Sequence, residues 1–247
     1  MSRVAVITGA ASGIGLGVAR QLAADGHLVA LMDRNGPGAE AAAAELQQQG
    51  LKAIGLEVDV SDRSRVDAAF GEVRAELGPI GILVTSAGIE SFTPLSDITA
   101  ERWDQIIAVN LTGTFACAQA AVPDMVEAGW GRIVTVASSS AQSGAPNMTH
   151  YAASKGGVIS LTKALAVELA RSGITANSIS PSLVDTPMAR AAEEAGDFIG
   201  VDVVAPMVPL GRAGTPDDIA AACSFLCSDG GSYVTGQILG VNGGMYI

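Results

Sequence analysis

Charged residues are scarce in this 247-residue sequence, and aromatic residues are scarcer still. Charged side chains make up 16% of the chain and aromatic ones 4%, whereas apolar residues make up 49%. This composition excludes an intrinsically disordered chain. The length suits one large α/β domain or two small ones, with a core built mainly from Ala, Val, Ile and Leu.

Basic residues are also few. The chain has 14 Lys and Arg and 25 Asp and Glu, which gives a net charge of −11. This sign disfavours nucleic acid and anionic membranes as partners and makes an acidic carrier protein a poor fit. The sequence lacks a strongly apolar run of about 18 residues, so no membrane span is predicted. The first strand begins almost at the N-terminus, leaving no room for a signal peptide, and we expect a cytoplasmic protein.

Cysteine is limited to Cys117, Cys223 and Cys227, an odd number without metal-type spacing. Cys223 and Cys227 stand four residues apart in a predicted helix, where small buried side chains are the better interpretation. The sequence therefore predicts no metal site, and the reducing cytoplasm fits free thiols.

Seven short apolar segments alternate with helical patterns along the chain. The predicted strands cover residues 3–8, 28–32, 52–58, 82–85, 132–137, 175–179 and 237–241. A cap at Ser61 opens one helix, Thr99 opens another that breaks near 110–113, and Thr215 caps a later one. This alternation predicts an α/β fold with a doubly wound, Rossmann-like parallel sheet and helices on both faces. Without a linker or repeat, residues 1–247 form one domain.

Residues 183–212 contain no predicted strand and mix apolar side chains with acids. Such a stretch, with little regular structure, is typical of a substrate lid, although a surface excursion is the alternative. Arg190 and Arg212 are its only cations. Either could hold an acyl carboxylate or a coenzyme A phosphate, or both could be ordinary surface charges.

A glycine-rich turn joins the first strand to the first helix. Its key residues are Gly9, Ser12, Gly13, Ile14 and Gly15. Glycines there allow backbone amides to approach a pyrophosphate at the positive end of the helix. The turn predicts a dinucleotide site at the first strand–helix junction, which makes the domain a dinucleotide-binding one.

Acidic residues end the second and third predicted strands. Asp33 could accept both ribose hydroxyls of NAD and repel the 2′-phosphate of NADP, so NAD is favoured. Arg34 could stack on the adenine or partly restore NADP binding. Asp59 and Val60 could reach the adenine edge, although Asp59 could equally shape the turn before Ser61.

Tyr151 and Lys155 stand four residues apart in a helical pattern, and therefore share one helix face. A neighbouring ammonium favours the phenolate and lowers the pKa of tyrosine. This pair predicts a proton donor and acceptor near neutral pH.

Together these motifs resemble the short-chain dehydrogenases/reductases over essentially the whole chain. The matching residues stand in family order: Thr8-Gly9, Gly13-Ile14-Gly15, Asp59-Val60, Ala87-Gly88, Asn110, Ser138, Tyr151, Lys155, Pro181 and Thr186. The resemblance implies that Tyr151 is the general acid or base, that Lys155 tunes it, and that Ser138 binds the substrate oxygen.

The same resemblance implies further roles. Asn110 would hold a water linking Lys155 to solvent, and Val184 and Thr186 would anchor the nicotinamide carboxamide. A homotetramer is also implied, with the tail 242–247 at an interface. Small residues such as Ala116 and Ala121 could pack against a second subunit.

Two departures from the family pattern stand beside these matches. Thr85-Ser86-Ala87-Gly88 replaces the usual pair of asparagines before Ala-Gly, so the usual bracing of the central sheet is in doubt. Pro181-Ser182 replaces the usual Pro-Gly, which puts the loop to Val184 and Thr186 in doubt.

Substrate identity is left open by the sequence. The predicted pocket is lined by Ser140, Gln142, His150, residues 89–92 and the lid. The first interpretation is an NAD-dependent dehydrogenase of secondary alcohols and ketones. The alternatives are a 3-oxoacyl or hydroxyacyl thioester reductase, which could use NADP, and a nicotinamide-binding regulator without turnover.

Overall fold

Seven parallel strands form the centre of the protein in the computed structural model, which describes residues 2–247. The strand order is β3-β2-β1-β4-β5-β6-β7. The strands are β1 (Val4–Thr8), β2 (Leu28–Asp33), β3 (Ala53–Glu57), β4 (Ile80–Thr85), β5 (Gly131–Val136), β6 (Ile174–Pro181) and β7 (Ile238–Val241). The order reverses between β1 and β4, and ligands bind at this point in such sheets. The predicted doubly wound fold is confirmed.

Within residues 2–247, ten α-helices surround the sheet and the cleft at its edge. They are α1 (Gly13–Ala24), α2 (Gly36–Gln48), α3 (Arg63–Glu76), α4 (Ala100–Ile107), α5 (Gly113–Ala128), α6 (Ser140–Ser143), α7 (Thr149–Leu169), α8 (Pro187–Glu194), α9 (Val201–Val204) and α10 (Pro216–Cys227). A π-helical turn, Ala108–Thr112, joins α4 to α5 where the sequence predicts a break.

The hydrophobic core lies in two layers, one on each face of the sheet. Ala5 and Ile7 of β1 pack in one layer with residues of α1, α2 and α10, while Val4 and Val6 pack in the other with α3 and α5. This alternation follows from the two-residue period of a strand. Cysteines are free and buried in these layers, as predicted.

Side-chain caps fix the starts of α2, α3, α4, α8 and α10. Thr99 accepts a hydrogen bond from the Arg102 amide at 3.2 Å, and Thr215 forms a capping box with Asp218. The predicted cap at Ser61 is wrong by one residue. Asp62 caps α3 instead, because its carboxylate accepts from the amides of residues 64 and 65 at 2.9 and 3.2 Å.

The stretch Ala100–Ala128 is long and apolar enough to cross a membrane by length and composition, with a mean hydropathy of 1.4. The prediction that the chain has no membrane span stays a prediction. About 44% of the apolar window is buried, and α5 packs on β4 and β5. A core helix passes the same test, so this property is weak support for a membrane span.

Small residues of α5 serve the chain's own core. Ala116 and Ala121 are buried against the second layer, with 4% and 0% exposure. The prediction that they pack against a second subunit is thus wrong for these two residues. Their small side chains instead let α5 lie close to the sheet.

Candidate active site

A cleft of about 1220 Å³ opens at the carboxyl ends of the strands. Each loop that leaves strands β1 to β6 contributes to its lining. The predicted residues that line it are Gly9, Ser12, Gly13, Ile14, Gly15, Asp33, Arg34, Asp59, Val60, Ser86, Ala87, Gly88, Ser138, Tyr151, Lys155, Pro181, Val184 and Thr186. Of the predicted catalytic and cofactor-binding residues, Asn110 alone lies outside this lining.

The glycine-rich turn is shaped by close backbone contacts. Gly9 has a φ of +68°, and a Cβ there would lie 2.8 Å from the Ala87 backbone. A Cβ on Gly15 would collide with the carbonyl of Gly9. Only glycine fits both positions, and the turn therefore brings the N-terminus of α1 to the cleft. Such an end of a helix binds phosphate groups.

The carboxylate of Asp33 connects the second strand to this turn. One oxygen accepts from the Ala11 amide at 3.0 Å, and the other accepts from the Asn35 amide at 2.9 Å. Asp33 still lines the cleft, where its remaining lone pairs can accept ribose hydroxyls. Arg34 lies beside it on the rim.

Asp59 and Val60 take different positions at the end of β3. The Asp59 carboxylate accepts from the amide and hydroxyl of Ser61 at 2.9 and 2.6 Å. It therefore shapes the turn, as one of the two interpretations predicts, and it also borders the cleft. Val60 is buried, and a Cβ on Gly113 would lie 2.7 Å from it.

The two departures from the family pattern are accommodated by serine and threonine hydroxyls. Thr8 accepts from the Ala87 amide at 3.1 Å and so links β1 to the end of β4. The Thr85 hydroxyl is buried without a hydrogen-bond partner among the described residues. Ser182 donates to the Asn242 carbonyl at 3.2 Å, which ties the loop after β6 to the C-terminal tail.

Tyr151 and Lys155 lie on one face of α7, as their spacing predicts. The Lys155 ammonium donates to the Val136 carbonyl at 2.8 Å and lies 5.8 Å from the Tyr151 ring centroid. Ser138 approaches from the end of β5, with its Oγ 2.9 Å from the Ser140 Oγ. The three side chains share the wall of one cleft.

The predicted direction of the Tyr151 pKa is wrong in this structure. Burial raises the pKa of the phenol, the charge of Glu90 raises it further, and Ser138 only partly opposes them. Burial also lowers the pKa of Lys155 from 10.5 to about 8, against the attraction of Glu90. Desolvation therefore outweighs the pairing that the sequence spacing indicates.

Asn110 lies behind the cleft, fully buried in the π-helical turn. Its Oδ1 accepts from the Ile89 amide at 2.9 Å, and its Nδ2 donates to the Ile89 carbonyl and Ser154 Oγ, each at 3.0 Å. Ser154 in turn donates to the Tyr151 carbonyl at 2.7 Å. Asn110 thus lies at the predicted helix break, and its amide positions Ile89 and α7. The water link stays a prediction.

The lid contains more regular structure than the sequence indicates. Residues 183–212 carry α8 and α9, and Thr186 caps α8 by accepting from the Ala189 amide at 3.2 Å. Met188 and Phe198 face the cleft, so lining by the lid is confirmed. Neither lid arginine is free for a ligand phosphate.

The two lid arginines are occupied by carboxylates. Arg190 pairs with Asp185, Glu193 and Asp202 at 2.8, 3.2 and 3.0 Å. Arg212 pairs with Asp218 at 2.7 Å. The hydrogen bonds of Arg190 hold the pKa of the Asp185 carboxyl below its usual value. These pairs, and the position of both arginines outside the cleft lining, favour the surface-charge interpretation.

Two predicted pocket residues lie elsewhere. His150 is fully buried, and neither ring nitrogen has a hydrogen-bond partner among the described residues. Burial lowers its pKa, and the Arg102 charge adds to this. Gln142 accepts from the Ser180 hydroxyl at 2.7 Å. Ser140 and residues 89–92 do line the cleft.

Sequence reasoning missed the importance of Glu90. It follows directly on the Ala87-Gly88-Ile89 segment and lines the same cleft as Tyr151 and Lys155. Burial raises the pKa of its carboxyl, and the Lys155 charge opposes this. An acid inside an otherwise apolar pocket-lining segment was the available signal.

Comparisons with known proteins agree with this geometry. A family model described as enoyl-(acyl carrier protein) reductase matches residues 9–246. The 3-oxoacyl-[acyl-carrier-protein] reductase MabA of Mycobacterium tuberculosis is 39% identical over 245 residues, which cover 99% of this chain and 93% of the relative. D-threitol dehydrogenase of Mycolicibacterium smegmatis is 41% identical over 245 residues, with coverages of 99% and 93%.

A solved structure is similar over nearly the whole chain. It is a variant of actinorhodin polyketide ketoreductase with NADPH, with a TM-score of 0.95 and 36% identity, covering 99% of this chain and 97% of that one. The fold and the cleft define a nicotinamide-dependent oxidoreductase. The family model and the relatives show that the chain belongs to the short-chain dehydrogenase/reductase family. It is therefore an NAD(P)-dependent oxidoreductase acting on CH–OH and keto groups.

Proposed function

We propose that the protein transfers a hydride between NAD(H) and a secondary alcohol or ketone, with Ser138, Tyr151 and Lys155 as catalytic residues. One observation carries the proposal: these three side chains line the same cleft as the glycine-rich turn and Asp33. When bound, the nicotinamide supplies or accepts the hydride. The protein orients the reactants and manages one proton.

Each catalytic residue has a role that its position supports. During reduction the neutral Tyr151 phenol, the form that burial favours, donates its proton to the carbonyl oxygen and becomes a phenolate. During oxidation the phenolate accepts the hydroxyl proton of the alcohol. Ser138 donates to the same oxygen as negative charge develops on it. Lys155 is fixed by the Val136 carbonyl and places a cation beside the phenol.

NAD is the proposed cofactor. The Asp33 carboxylate lines the cleft, held in place by the Ala11 amide, and a fixed negative charge there repels a 2′-phosphate. NADPH in the related ketoreductase supports NADP as the alternative. Steady-state kcat/KM with each cofactor decides between them, and we expect a higher value with NAD.

A 3-oxoacyl thioester reductase is the second candidate. The family description and the MabA relative favour it. The engaged lid arginines and the net charge of −11 favour small alcohols, as does the name of the threitol dehydrogenase relative. Reduction of acetoacetyl-CoA, measured beside a panel of alcohols and ketones, separates the two.

A homotetramer in the cytoplasm is also proposed. Apolar side chains stand exposed on α5 and α7, including Phe115 at 45% and Val167 at 83%. Exposed apolar side chains of this kind are favourable at a contact between subunits, where they are removed from water. Light scattering on the purified protein measures the assembly.

The Tyr151→Phe variant tests the proton role. We expect it to lose about 10²–10⁴-fold in kcat, because it lacks the transferable proton, while NAD binding is retained. Steady-state kinetics and calorimetric NAD titration give the two readouts. Retention of more than about a tenth of the wild-type rate would contradict the role. Confirmed NAD binding without turnover across the whole panel would favour the regulator instead.

A further inference from the structure

A carboxylate stands in the cleft beside the catalytic side chains, and the proposed mechanism does not use it. Gly88 passes close to Lys155, because a Cβ on Gly88 would lie 3.4 Å from the Lys155 ammonium nitrogen. Glu90 follows two residues later. The segment after β4 thus passes the ammonium and delivers Glu90 into the cleft that Ser138 and Tyr151 also line. Glu90 thus lines the same cleft as the proposed catalytic residues, and its charge acts on Tyr151 and Lys155.

The backbone around Glu90 is held firmly, but its carboxylate is not. Asn110 binds the amide and carbonyl of Ile89, and Arg102 donates to the Glu90 carbonyl at 3.0 Å. Within residues 2–247 the carboxylate itself forms neither a hydrogen bond nor an ion pair. A half-buried charge without a partner is costly, so a carboxylate with a purely structural role would be paired. The arrangement is that of a group positioned for a ligand.

We propose that Glu90 determines substrate specificity by accepting a hydrogen bond from a second hydroxyl of the substrate. The inference rests on the proposed function, because it assumes that the alcohol oxygen lies at Tyr151 and Ser138. It narrows the substrate class to diols and larger polyols, or the corresponding hydroxyketones. A carboxylate is well suited to this, since charged acceptors form the stronger hydrogen bonds.

The charges in the cleft favour a neutral hydroxyl over an ammonium group or an anionic group as the substrate substituent near Glu90. An ammonium group on the substrate would meet Lys155, and the Arg102 side chain also lines the cleft. An anionic substituent would meet the Glu90 carboxylate itself. A hydroxyl avoids both repulsions and still donates to Glu90.

The experiment uses four-carbon alcohols that share a CH3–CH(OH) unit. 2-Butanol, 1,3-butanediol, 2,3-butanediol and 4-amino-2-butanol are oxidised with NAD by the wild-type protein and by Glu90→Ala and Glu90→Gln. The wild type should favour at least one diol over 2-butanol in kcat/KM. Glu90→Ala should lower that ratio about tenfold to a hundredfold, the range expected for a hydrogen bond to a charged group. Glu90→Gln should retain part of the preference.

A matched control removes a nearby charge outside the cleft. Glu101 lies exposed in the first turn of α4, and Glu101→Gln should leave the diol preference unchanged. Thermal unfolding of each variant shows whether it remains folded. An unchanged ratio in Glu90→Ala, an equal loss on 2-butanol and the diols, or a preference for the amino alcohol would overturn the proposal. Absence of turnover with all four alcohols and with acetoacetyl-CoA would refute the proposed function itself.

Discussion

Lys155 shows how much a buried charge depends on its surroundings. Its ammonium is almost fully enclosed, with one hydrogen bond to Val136 and a nearby carboxylate at Glu90. Burial lowers its pKa from 10.5 to about 8, so the neutral amine is favoured in the folded protein more than in the unfolded chain. Folding stability is therefore linked to pH through this one residue.

The lowered pKa of Lys155 predicts how the free energy of unfolding changes with pH. Between pH 8 and pH 10.5 the unfolded chain binds more protons at Lys155 than the folded protein does. The contribution of Lys155 to the free energy of unfolding should therefore rise with pH across this window. Urea unfolding of the cofactor-free protein and of Lys155→Met, at fixed protein concentration, gives the difference at each pH. A difference that stays constant or falls between pH 8 and pH 10 would contradict the lowered pKa.

The sequence could place Tyr151 beside Lys155 but could not give the pKa direction. Spacing on a helix fixes which residues are neighbours. Desolvation depends on chain segments from β4, β5 and the lid, which are distant in sequence and meet only in the fold. Glu90 escaped attention for the same reason, since its neighbours Tyr151 and Lys155 are about 60 residues away.

At the scale of elements, α1 and α10 pack closely because Gly17 faces Pro216. A Cβ at Gly17 would lie 2.8 Å from Pro216 Cβ and 3.2 Å from its backbone carbonyl carbon. Neither atom belongs to a flexible side chain. Gly71, inside α3, has no heavy atom within 4 Å of such a Cβ. The two glycines lie in helices but under opposite steric conditions.

Alanine substitution at these glycines should have opposite effects. Gly71→Ala should raise the free energy of unfolding by about 0.5–1 kcal/mol, because alanine loses less backbone entropy in a helix. Gly17→Ala should lower it by about 1–3 kcal/mol, because the helices must separate to admit the methyl group. Denaturant unfolding measures both. If both variants changed the free energy of unfolding by the same amount in the same direction, helix propensity and not packing would govern both sites.

Elements with a strong local pattern were predicted well, and those without one were not. The buried strand β1 is a continuous apolar run, and Thr215 precedes Pro216 and two acids, so both were recognised. The lid helix α8 also begins with a Thr-Pro pair, but it is only eight residues long and has no acid in its first turn, so it was missed. The cap of α3 was misplaced because Ser61 and Asp62 are adjacent and both are common caps.

At the scale of the whole molecule, the net charge of −11 governs encounters with charged partners. An acidic carrier protein that presents a 3-oxoacyl group would approach against a field of like sign. Added salt screens this repulsion over about 8–10 Å at moderate ionic strength.

A salt titration therefore tests the long-range electrostatics. For a carrier-bound 3-oxoacyl substrate, kcat/KM should increase several-fold as NaCl rises from about 20 to 200 mM, because repulsion slows association. The same acyl group on a small neutral thioester serves as the control and should show little change. A decrease for the carrier-bound substrate would indicate a local basic docking surface that outweighs the net charge.

The two hydrogen bonds of Asp33 have a consequence for cofactor engineering. This carboxylate tethers the Ala11 amide of the glycine-rich turn, and it also lines the cleft where we propose that the adenosine ribose binds. Replacing it to admit a 2′-phosphate would also release the turn that cradles the pyrophosphate. A redesign must therefore supply a new acceptor for Ala11 together with the new phosphate site. In this scaffold, coenzyme choice and loop shape are not independent variables.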